Sequence, residues 1–416
     1  MLKLGESSQA VLCSMISPEI DTLYMPDNIR KITLVSDYAQ SICMDIFPDS
    51  LRYLKLGGGY SYPLDAHSLP KFLETLILPR KYPYSVSYDI FPVTIRKLRL
   101  YASNRNPIGT CSLPRFVEKM RLRTTQKNLV DGIFPSTLTD LDLSVVSARN
   151  ISKQFFPRKL AKLKINSKCG MECILFPGDI FPETLTELDI SVVSMEKMSS
   201  WFFPRNLIKL KINSDYHMRH TLFPDTLRSL ELTPGNIYEL SRDNLPKYIT
   251  RLRLDPFYNI ELTNRIFPDT VTDLHLGSRY NHKINISTLP KTLKKLRLSH
   301  YYSHPIDDLS LPDSIEYLRL PAIYNHGFKV DVNFLPNNLK YLRMKIKEYA
   351  EQLNEQCSSI YFTVIYGDNK EKYHIPNVIY PVLCLNGKYE GGKKIGTEMF
   401  DGLEYDVVIN VRYYRP

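Results

Sequence analysis

The sequence lacks long hydrophobic runs, and its cysteines do not form a disulfide framework. No apolar stretch approaches the roughly 18 residues of a membrane-spanning helix. Residues 5–9 (GESSQ) are polar where a signal peptide would carry its apolar segment. The 7 cysteines are odd in number and scattered, which favours a reducing compartment over a secreted fold. We therefore expect an intracellular, cytoplasmic protein.

Residue patterns typical of catalysis or metal binding are also missing. Cys169 and Cys173 form the one close cysteine pair, and no second pair completes a zinc site. Two close histidine pairs lie in loops between predicted strands, His217 with His220 and His300 with His304. No Ser–His–Asp arrangement stands out. The sequence predicts a non-enzymatic protein with no catalytic residue, no metal site, no cofactor and no small-molecule substrate.

Proline, in contrast, is abundant and regularly spaced. Of the 28 prolines, fifteen recur at intervals that are mostly 22 residues. They stand at positions 26, 48, 70, 92, 114, 135, 157, 182, 204, 224, 246, 268, 290, 312 and 336. Aliphatic residues stand three, six and eight positions after each, as Leu51, Leu54 and Leu56 do after Pro48. Self-similarity at a fixed period indicates a repeat architecture.

The spacing within one unit predicts a strand. Leu54 and Leu56 are two residues apart, so both face the same side of an extended chain. A unit of 22 residues cannot bury that apolar face alone, but stacked units can. We predict a β-rich repeat solenoid of about 15 coils with a parallel sheet along one side. Tyrosines twelve residues after the proline are predicted to close the back of the coil, at 38, 60, 82, 216, 258, 280, 302 and 324.

The repeat unit resembles two known families. Its Leu-x-x-Leu-x-Leu core is similar to that of leucine-rich repeats, and the 22-residue unit resembles the FNIP repeat. The FNIP pattern, Leu-Pro, then Leu-x-x-Leu-x-Leu-Gly, then Phe-Asn and Pro-Leu, matches best over residues 47–64 (FPDSLRYLKLGGGYSYPL). The resemblance covers about residues 18–345 and implies a leucine-rich-repeat-like sheet. Such repeats are abundant in social amoebae and in giant viruses that infect amoebae.

The pattern predicts three segments. They are an N-terminal cap over 1–25 with a degenerate repeat at Pro18, Leu23 and Met25, a solenoid over 26–345, and a small C-terminal α+β cap or α/β module over 346–416. Residues 346–353 fit one face of a short helix within the last segment. The Asn that ordinary leucine-rich repeats place after the strand is absent from all fifteen units. We therefore expect another group to satisfy the backbone between repeats.

In leucine-rich-repeat geometry, the residues five and seven positions after each proline point away from the core. We call this side of the sheet the inner face. Basic and acidic repeats alternate along it from residue 119 to residue 297. Because neighbouring strands lie about 4.8 Å apart, each cation has a carboxylate beside it. We predict a charge ladder that fixes the register of the repeats, with Asp189 between Lys164 and Lys211.

Two groups on the inner face break this alternation. The first basic patch comprises Lys97, Arg99, Tyr101, Lys119, Arg121 and Arg123, with only Glu118 and Asp140 nearby. The second basic patch comprises Lys295, Arg297, Tyr317, Arg319, Tyr341, Arg343 and Lys345, without acidic partners. Arg and Tyr are enriched at protein interfaces. We predict that these patches contact a partner.

The sequence predicts a monomeric protein-interaction scaffold that binds protein partners through its inner face. If the chain is viral, the partners include host proteins and the location is the host cytoplasm. One alternative is a substrate receptor in ubiquitin ligation, because relatives of the repeat family carry an F-box before their repeats. With the first repeat proline at 26, we expect no F-box here.

A second alternative is a polyanion or nucleic-acid binder that uses the two basic patches. No RNA- or DNA-binding motif accompanies the patches. Two separated basic ends also lack the continuous track that a nucleic acid needs. We therefore expect weak nucleic-acid binding or none.

Overall fold

The chain forms two compact units in the computed structural model, Met1–Asn213 and Ser214–Pro416. The structure describes residues 9–12, 27–34, 41–42, 46–110, 112–125, 129–145, 152, 154–167, 180–190, 203–213, 223–233, 240–307, 309–321, 335–345, 360–361, 364–365, 388–390, 393–395, 406–410 and 412–413. Within these ranges, no helix is long and apolar enough to cross a membrane.

The described residues of the first unit contain ten strands, each parallel to the next one in sequence. They are β1 (Gln9–Leu12), β2 (Lys31–Leu34), β3 (Tyr53–Lys55), β4 (Thr75–Ile77), β5 (Lys97–Ala102), β6 (Lys119–Thr124), β7 (Asp140–Val145), β8 (Lys162–Ser167), β9 (Glu187–Ile190) and β10 (Lys209–Asn213). The register advances by one repeat at each step, so Leu54 pairs with Leu76 and Leu76 with Leu98.

The second unit contains six parallel strands in its described part, followed by short antiparallel ones. The parallel strands are β11 (Ser229–Thr233), β12 (Arg251–Arg253), β13 (Asp273–His275), β14 (Lys295–Arg297), β15 (Tyr317–Arg319) and β16 (Tyr341–Lys345). The later strands are β17 (Ile360–Tyr361), β18 (Val364–Ile365), β19 (Lys388–Glu390), β20 (Lys393–Ile395), β21 (Asp406–Asn410) and β22 (Arg412–Tyr413). β21 pairs with β16 and β18, β17 with β22, and β19 with β20.

This architecture is a leucine-rich-repeat-like β-solenoid, and the predicted fold class is confirmed. The parallel strands of the described residues, ten in one unit and six in the other, differ slightly in number from the predicted coils. Helical structure in the same residues is limited to two 3-10 turns, Tyr88–Ile90 and Arg242–Asn244. The helix predicted at 346–353 lies outside the described residues, and the division into three segments stays a prediction.

The strand before the first repeat lies elsewhere than the sequence predicted. The degenerate repeat at Pro18 would place a strand near 23–25, but the parallel partner of β2 is β1, with Leu12 opposite Leu34. β1 is in step with the 22-residue period, so the position predicted for the degenerate repeat is wrong. The sequence concealed this copy because Leu4 stands where the repeat proline would be.

The core is built from the three aliphatic rows of the repeat. Leu185, Leu188 and Ile190, which follow Pro182 by three, six and eight residues, are each at most 2% exposed. Burying one such side chain stabilises the fold by about 1.5–3 kcal/mol. Each strand therefore spends every second side chain on the core and presents the others on the inner face.

A ladder of hydroxyl groups ties each repeat to the one before it. The Ser or Thr two residues after the proline donates a hydrogen bond to a backbone carbonyl of the preceding repeat. Thr94 Oγ1 lies 2.7 Å from the carbonyl oxygen of Leu73. The same contact is made by Ser50, Thr137, Thr184, Thr270, Thr292 and Ser314. Hydroxyls thus satisfy backbone groups between repeats that carry no Asn after the strand.

Aromatic residues replace the hydroxyl in three repeats. Phe72, Phe116 and Tyr248 stand two residues after their prolines. The guanidinium of Arg52 lies 5.3 Å from the ring centroid of Phe72, and that of Arg96 lies 5.6 Å from the ring centroid of Phe116. Cation–π contacts of this kind contribute about 0.5–1 kcal/mol at exposed positions. These repeats are therefore joined by ring contacts at the position where others use a hydrogen bond.

The tyrosines close the back of the coil, as predicted. Five of them are at most 5% exposed: Tyr60, Tyr82, Tyr258, Tyr280 and Tyr302. The Tyr82 hydroxyl accepts a hydrogen bond from the backbone N–H of Leu64 at 2.9 Å, and burial raises the pKa of Tyr82 to about 12. The other three, Tyr38, Tyr216 and Tyr324, lie outside the described residues.

Asparagines form a ladder on this same side of the coil. Asn259 Oδ1 accepts a hydrogen bond from the backbone N–H of Asn281 at 2.8 Å, and Asn281 Oδ1 accepts one from Ser303 at 2.8 Å. The ring of His304 contacts the carbonyl oxygen of Asn281 at 2.9 Å. The Tyr-Asn half of the repeat therefore has a structural role, in which His304 takes part.

Candidate interaction surface

The inner face is a band of alternate side chains that the core does not use. In β6, Lys119, Arg121 and Arg123 point away from the core, whereas Met120 and Leu122 are buried. The parallel register aligns equivalent residues of neighbouring repeats in rows. The rows contain the residues five, seven and, in the longer strands, nine positions after the proline.

Asp189 occupies the position that the sequence predicted. Its carboxylate lies 3.0 Å from Lys164 Nζ on one neighbouring strand. On the other side, the register pairs it with Lys211. The carboxylate is therefore placed between two repeats of opposite charge, and the predicted arrangement is confirmed.

Glu187 forms a second rung of the ladder. Its carboxylate lies 3.0 Å from Lys162 Nζ and 3.0 Å from Lys209 Nζ. Burial raises the pKa of Glu187, but hydrogen bonds from the two lysines outweigh burial and hold the pKa below its usual value. The carboxylate is ionised at neutral pH and links three consecutive repeats.

In the second unit, the ladder centres on Asp273, which is only 6% exposed. Its carboxylate lies 3.1 Å from Arg251 Nε and 3.3 Å from Arg297 Nη1. The residue opposite Asp273 on β14 is Lys295, so the contact with Arg297 is diagonal. A carboxylate this buried needs such partners, because an unpaired buried charge costs several kcal/mol.

His275 lies beside this cluster and remains neutral at physiological pH. The register places it between Arg253 and Arg297. Burial, assisted by the charges of these two arginines and of Arg319, lowers the pKa of His275 from 6.5 to about 4. Its ring adds no positive charge to the row at pH 7.

The structure brings the first basic patch together on β5 and β6. The register pairs Lys97 with Lys119, Arg99 with Arg121, and Tyr101 with Arg123. The expected acidic neighbours are only partly correct. Asp140 does stand opposite Lys119, but Glu118 contacts Arg96, outside the patch, at 3.7 Å. The sequence missed Asp142, whose carboxylate lies 2.7 Å from Arg121 Nε.

Next to this patch, the inner face forms a pocket of about 320 Å³. We call it the cationic pocket. Four cationic side chains line it, Lys55, Arg80, Arg99 and Arg123, together with Ile77, Pro79 and Tyr101, and no Asp or Glu is among its described lining residues. The sequence missed Lys55 and Arg80. The signal was present for Lys55, which stands seven residues after Pro48, in the row of Arg99.

The second basic patch is less cationic than predicted. In register, Lys295 pairs with Tyr317 and Arg297 with Arg319. The expectation that these cations lack acidic partners is wrong for Arg297, because Asp273 reaches it diagonally at 3.3 Å. The guanidinium of Arg297 also lies 5.8 Å from the ring centroid of Tyr317. On β16, the backbones of Tyr341, Arg343 and Lys345 continue the rows, and their side chains lie outside the described part of the structure.

A further charge ladder, which the sequence analysis missed, runs along the residues four positions after the proline. Glu316 contacts Lys294 at 3.3 Å and Lys340 at 2.8 Å. Arg52 and Glu74 form a similar pair at 3.8 Å. Exposed pairs of this kind contribute about 0–1 kcal/mol each. The same alternation of charge, read one residue earlier in each repeat, would have revealed this ladder.

The remaining candidate ligands do not form a site in the described residues. There, no group of three or more His, Cys, Asp or Glu side chains is arranged to hold a metal ion. His300 contacts the ring of Tyr301 at 4.9 Å between centroids. Four other residues of the close pairs lie outside the described part: Cys169, Cys173, His217 and His220.

The fold and its rows of inner-face side chains define a repeat solenoid of the leucine-rich-repeat type. The profile of the family described as FNIP Repeat matches residues 38–81, 258–301 and 302–345, so the chain carries FNIP repeats. No curated protein sequence matches the chain.

Two solved structures are similar to the chain. One is CroV588, described as a novel circular LRR protein structure, with a TM-score of 0.58 and 19% identity over 81% of this chain and 52% of that one. The chain thus spans about half the length of CroV588. The other is YopM from Yersinia enterocolitica WA-314, with a TM-score of 0.39 and 16% identity over 81% of this chain and 91% of that one. At these identities the likeness shows the fold alone.

Proposed function

We propose that this protein is a non-enzymatic scaffold that binds partner proteins through the inner face of its solenoid. The observation that carries the proposal is the first basic patch, where six Arg, Lys and Tyr side chains converge on two adjacent strands. Arg and Tyr are the residue types on which interface energies depend most. The neighbouring pocket adds shape to the charge.

The rest of the described inner face supports binding to a protein over binding to a nucleic acid. Carboxylates such as Glu187 and Asp189 alternate with lysines along the first unit. A nucleic-acid backbone laid along these rows would meet negative charge at every second repeat. A folded protein, in contrast, can contact a local patch and leave the neutralised rows in water.

Affinity purification from cells that express the chain tests this function. The test variant changes Lys97, Arg99 and Lys119 to Ala. The matched control changes Lys81, Lys159 and Lys291, three exposed cations off the inner face, so the loss of net charge is the same. We expect partners that the wild type and the control retain and the test variant loses. Identical partner sets for all three proteins would refute a role for the patch.

A salt titration separates this function from polyanion binding. Binding to generic duplex DNA, single-stranded DNA and RNA is measured from about 50 mM salt upward, because non-specific electrostatic affinity is strongest at low salt. We expect weak binding or none. Tight binding with a steep dependence on salt would support the polyanion alternative.

A further inference from the structure

We propose that the cationic pocket is a receptor for a phosphate ester, carried by a phosphorylated side chain of a partner protein. The proposal deepens the proposed function, on which it rests, by naming the chemistry that the scaffold recognises. It depends on four cationic side chains from four repeats, on their lack of carboxylate partners, and on an uncharged floor between them.

The pocket arises from one short side chain between two long ones. Lys55, Ile77 and Arg99 are opposite each other in register on β3, β4 and β5. Strands two apart in a sheet are about 10 Å apart. Because Ile77 is shorter than its neighbours, a gap opens between the two cations, and Pro79 continues the floor.

The opposite wall and the rim carry further positive charge. Tyr101 and Arg123 are opposite each other on β5 and β6, two residues beyond the row of Arg99. Arg80 directly follows Pro79 and is exposed at the rim. Cations therefore approach the gap from three sides.

The positive charge in this pocket is not neutralised by neighbours. Among the described residues, Lys55, Arg80, Arg99 and Arg123 form no ion pair within 4 Å, in contrast to Arg121, which contacts Asp142 at 2.7 Å. Burial, together with the charges of Arg121 and Arg123, lowers the pKa of Arg99. A lowered guanidinium pKa indicates a positive local potential, which an anion would relieve.

The shape of the site favours a phosphate ester over other anions. A phosphate ester carries about 1.5–2 negative charges and three acceptor oxygens, so one group can meet several cations at once. A carboxylate carries a single charge. The uncharged floor of Ile77, Pro79 and Tyr101 suits the side chain that bears the phosphate, and a phosphotyrosine ring most of all. A nucleic acid would extend beyond the pocket toward β7, where Asp140 and Asp142 repel it.

The test measures binding of the full chain to a fluorescent peptide pool with a central phosphotyrosine and random flanking residues. We expect the phosphorylated pool to bind at least about tenfold tighter than the same pool with Tyr or Glu at the centre. Phenyl phosphate should compete for the site. A phosphoserine pool, which lacks the ring, should bind between the two.

Two sets of variants locate the binding. Arg99→Ala combined with Arg123→Ala should weaken binding of the phosphotyrosine pool by at least about tenfold. Arg80→Ala should also weaken it, whereas Lys81→Ala, the adjacent exposed cation that does not line the pocket, should leave it unchanged. Because Arg80 is exposed in a turn, its variant remains informative even if the double variant fails to fold.

Three results would overturn the proposal. They are equal binding of the phosphorylated and unphosphorylated pools, binding that Arg80→Ala and Lys81→Ala change equally, and tighter binding to duplex DNA or to vesicles containing phosphoinositide than to the phosphotyrosine pool. If the pools fail while patch-dependent partners are still captured from cells, the pocket proposal falls and the scaffold function stands. If the phosphotyrosine pool binds but no partner depends on the patch, the scaffold function falls.

Discussion

Replacing Asp273 with Asn tests how strongly the charge ladder stabilises the second unit. The carboxylate is 6% exposed and contacts Arg251 at 3.1 Å and Arg297 at 3.3 Å. Asn has the same shape but no charge. Its oxygen can accept from one guanidinium, but its amide group, a donor, then faces the other. The substitution therefore removes the attraction without opening a cavity.

The size of the effect follows from the burial of each group. Removing one partner of a buried ion pair costs about 3–5 kcal/mol. Here the side chains of Arg251 and Arg297 are 59% and 34% exposed, so water screens the charges left behind. We expect the free energy of unfolding to fall by about 2 kcal/mol. The matched control, Glu231→Gln, breaks a more exposed contact with Arg253 and should cost under about 1 kcal/mol.

Urea denaturation of the full chain, followed by circular dichroism, measures both variants. We expect the Asp273→Asn variant to have a lower midpoint at an unchanged slope, because the surface exposed on unfolding stays the same. The Glu231→Gln midpoint should stay close to that of the wild type. Equal midpoints for the two variants would refute the argument that burial makes the Asp273 contacts stronger than those of an exposed rung.

Three further predictions concern single positions and use the same assay. Gly277→Ala places a methyl group 1.9 Å from the carbonyl oxygen of Asp255 and should lower the free energy of unfolding by about 2–3 kcal/mol, whereas Gly58→Ala meets nothing within 4 Å and should change little. Thr292→Val removes a hydroxyl of the interrepeat ladder and should cost about 1 kcal/mol, most of which Thr292→Ser should restore. The pKa of His275, lowered to about 4, means that the unfolded chain takes up a proton near pH 6.5 and the folded chain only near pH 4. The free energy of unfolding should thus fall between these pH values, by about 1–2 kcal/mol after solvent screening, and His275→Asn should flatten this part of the pH profile.

The core and the ladder were predictable because the repeat period determines them. A strand turns successive side chains to opposite faces, so the spacing of Leu188 and Ile190 also places Asp189 on the inner face. Repetition in steps of 22 residues then aligns Asp189 with Lys164 and Lys211 without further information. The tyrosines of the back follow from the same period.

Contacts that depend on the reach of a side chain were not predictable from spacing. Arg297 stands opposite His275, and the period alone gives it no acidic partner. Its guanidinium nonetheless contacts Asp273, because a long side chain can bend across to the neighbouring row. The cationic pocket was missed for a similar reason, since Arg80 comes from a turn, where residues follow no strand alternation.

The cationic pocket lies where the charge ladder omits its carboxylates. Along the row seven residues after the proline, Asp142 and Asp189 separate the cations of later repeats, whereas Lys55, Ile77 and Arg99 include no acid. Like charges opposite each other in a sheet are destabilising, and Arg99 faces Arg121 directly. Local departures from a consistent design are found at functional sites.

If an anion from a partner supplies the missing negative charge, binding and stability are linked. A ligand that binds only the folded state raises the free energy of unfolding by RT ln(1 + [L]/Kd), about 2.7 kcal/mol at 100 times Kd. Phenyl phosphate should therefore raise the melting temperature of the wild-type chain and of Lys81→Ala. The rise should be much smaller for Arg80→Ala and absent for the Arg99→Ala, Arg123→Ala double variant. An equal rise in all four proteins would place the phosphate elsewhere and leave the repulsion between Arg99 and Arg121 without a functional explanation.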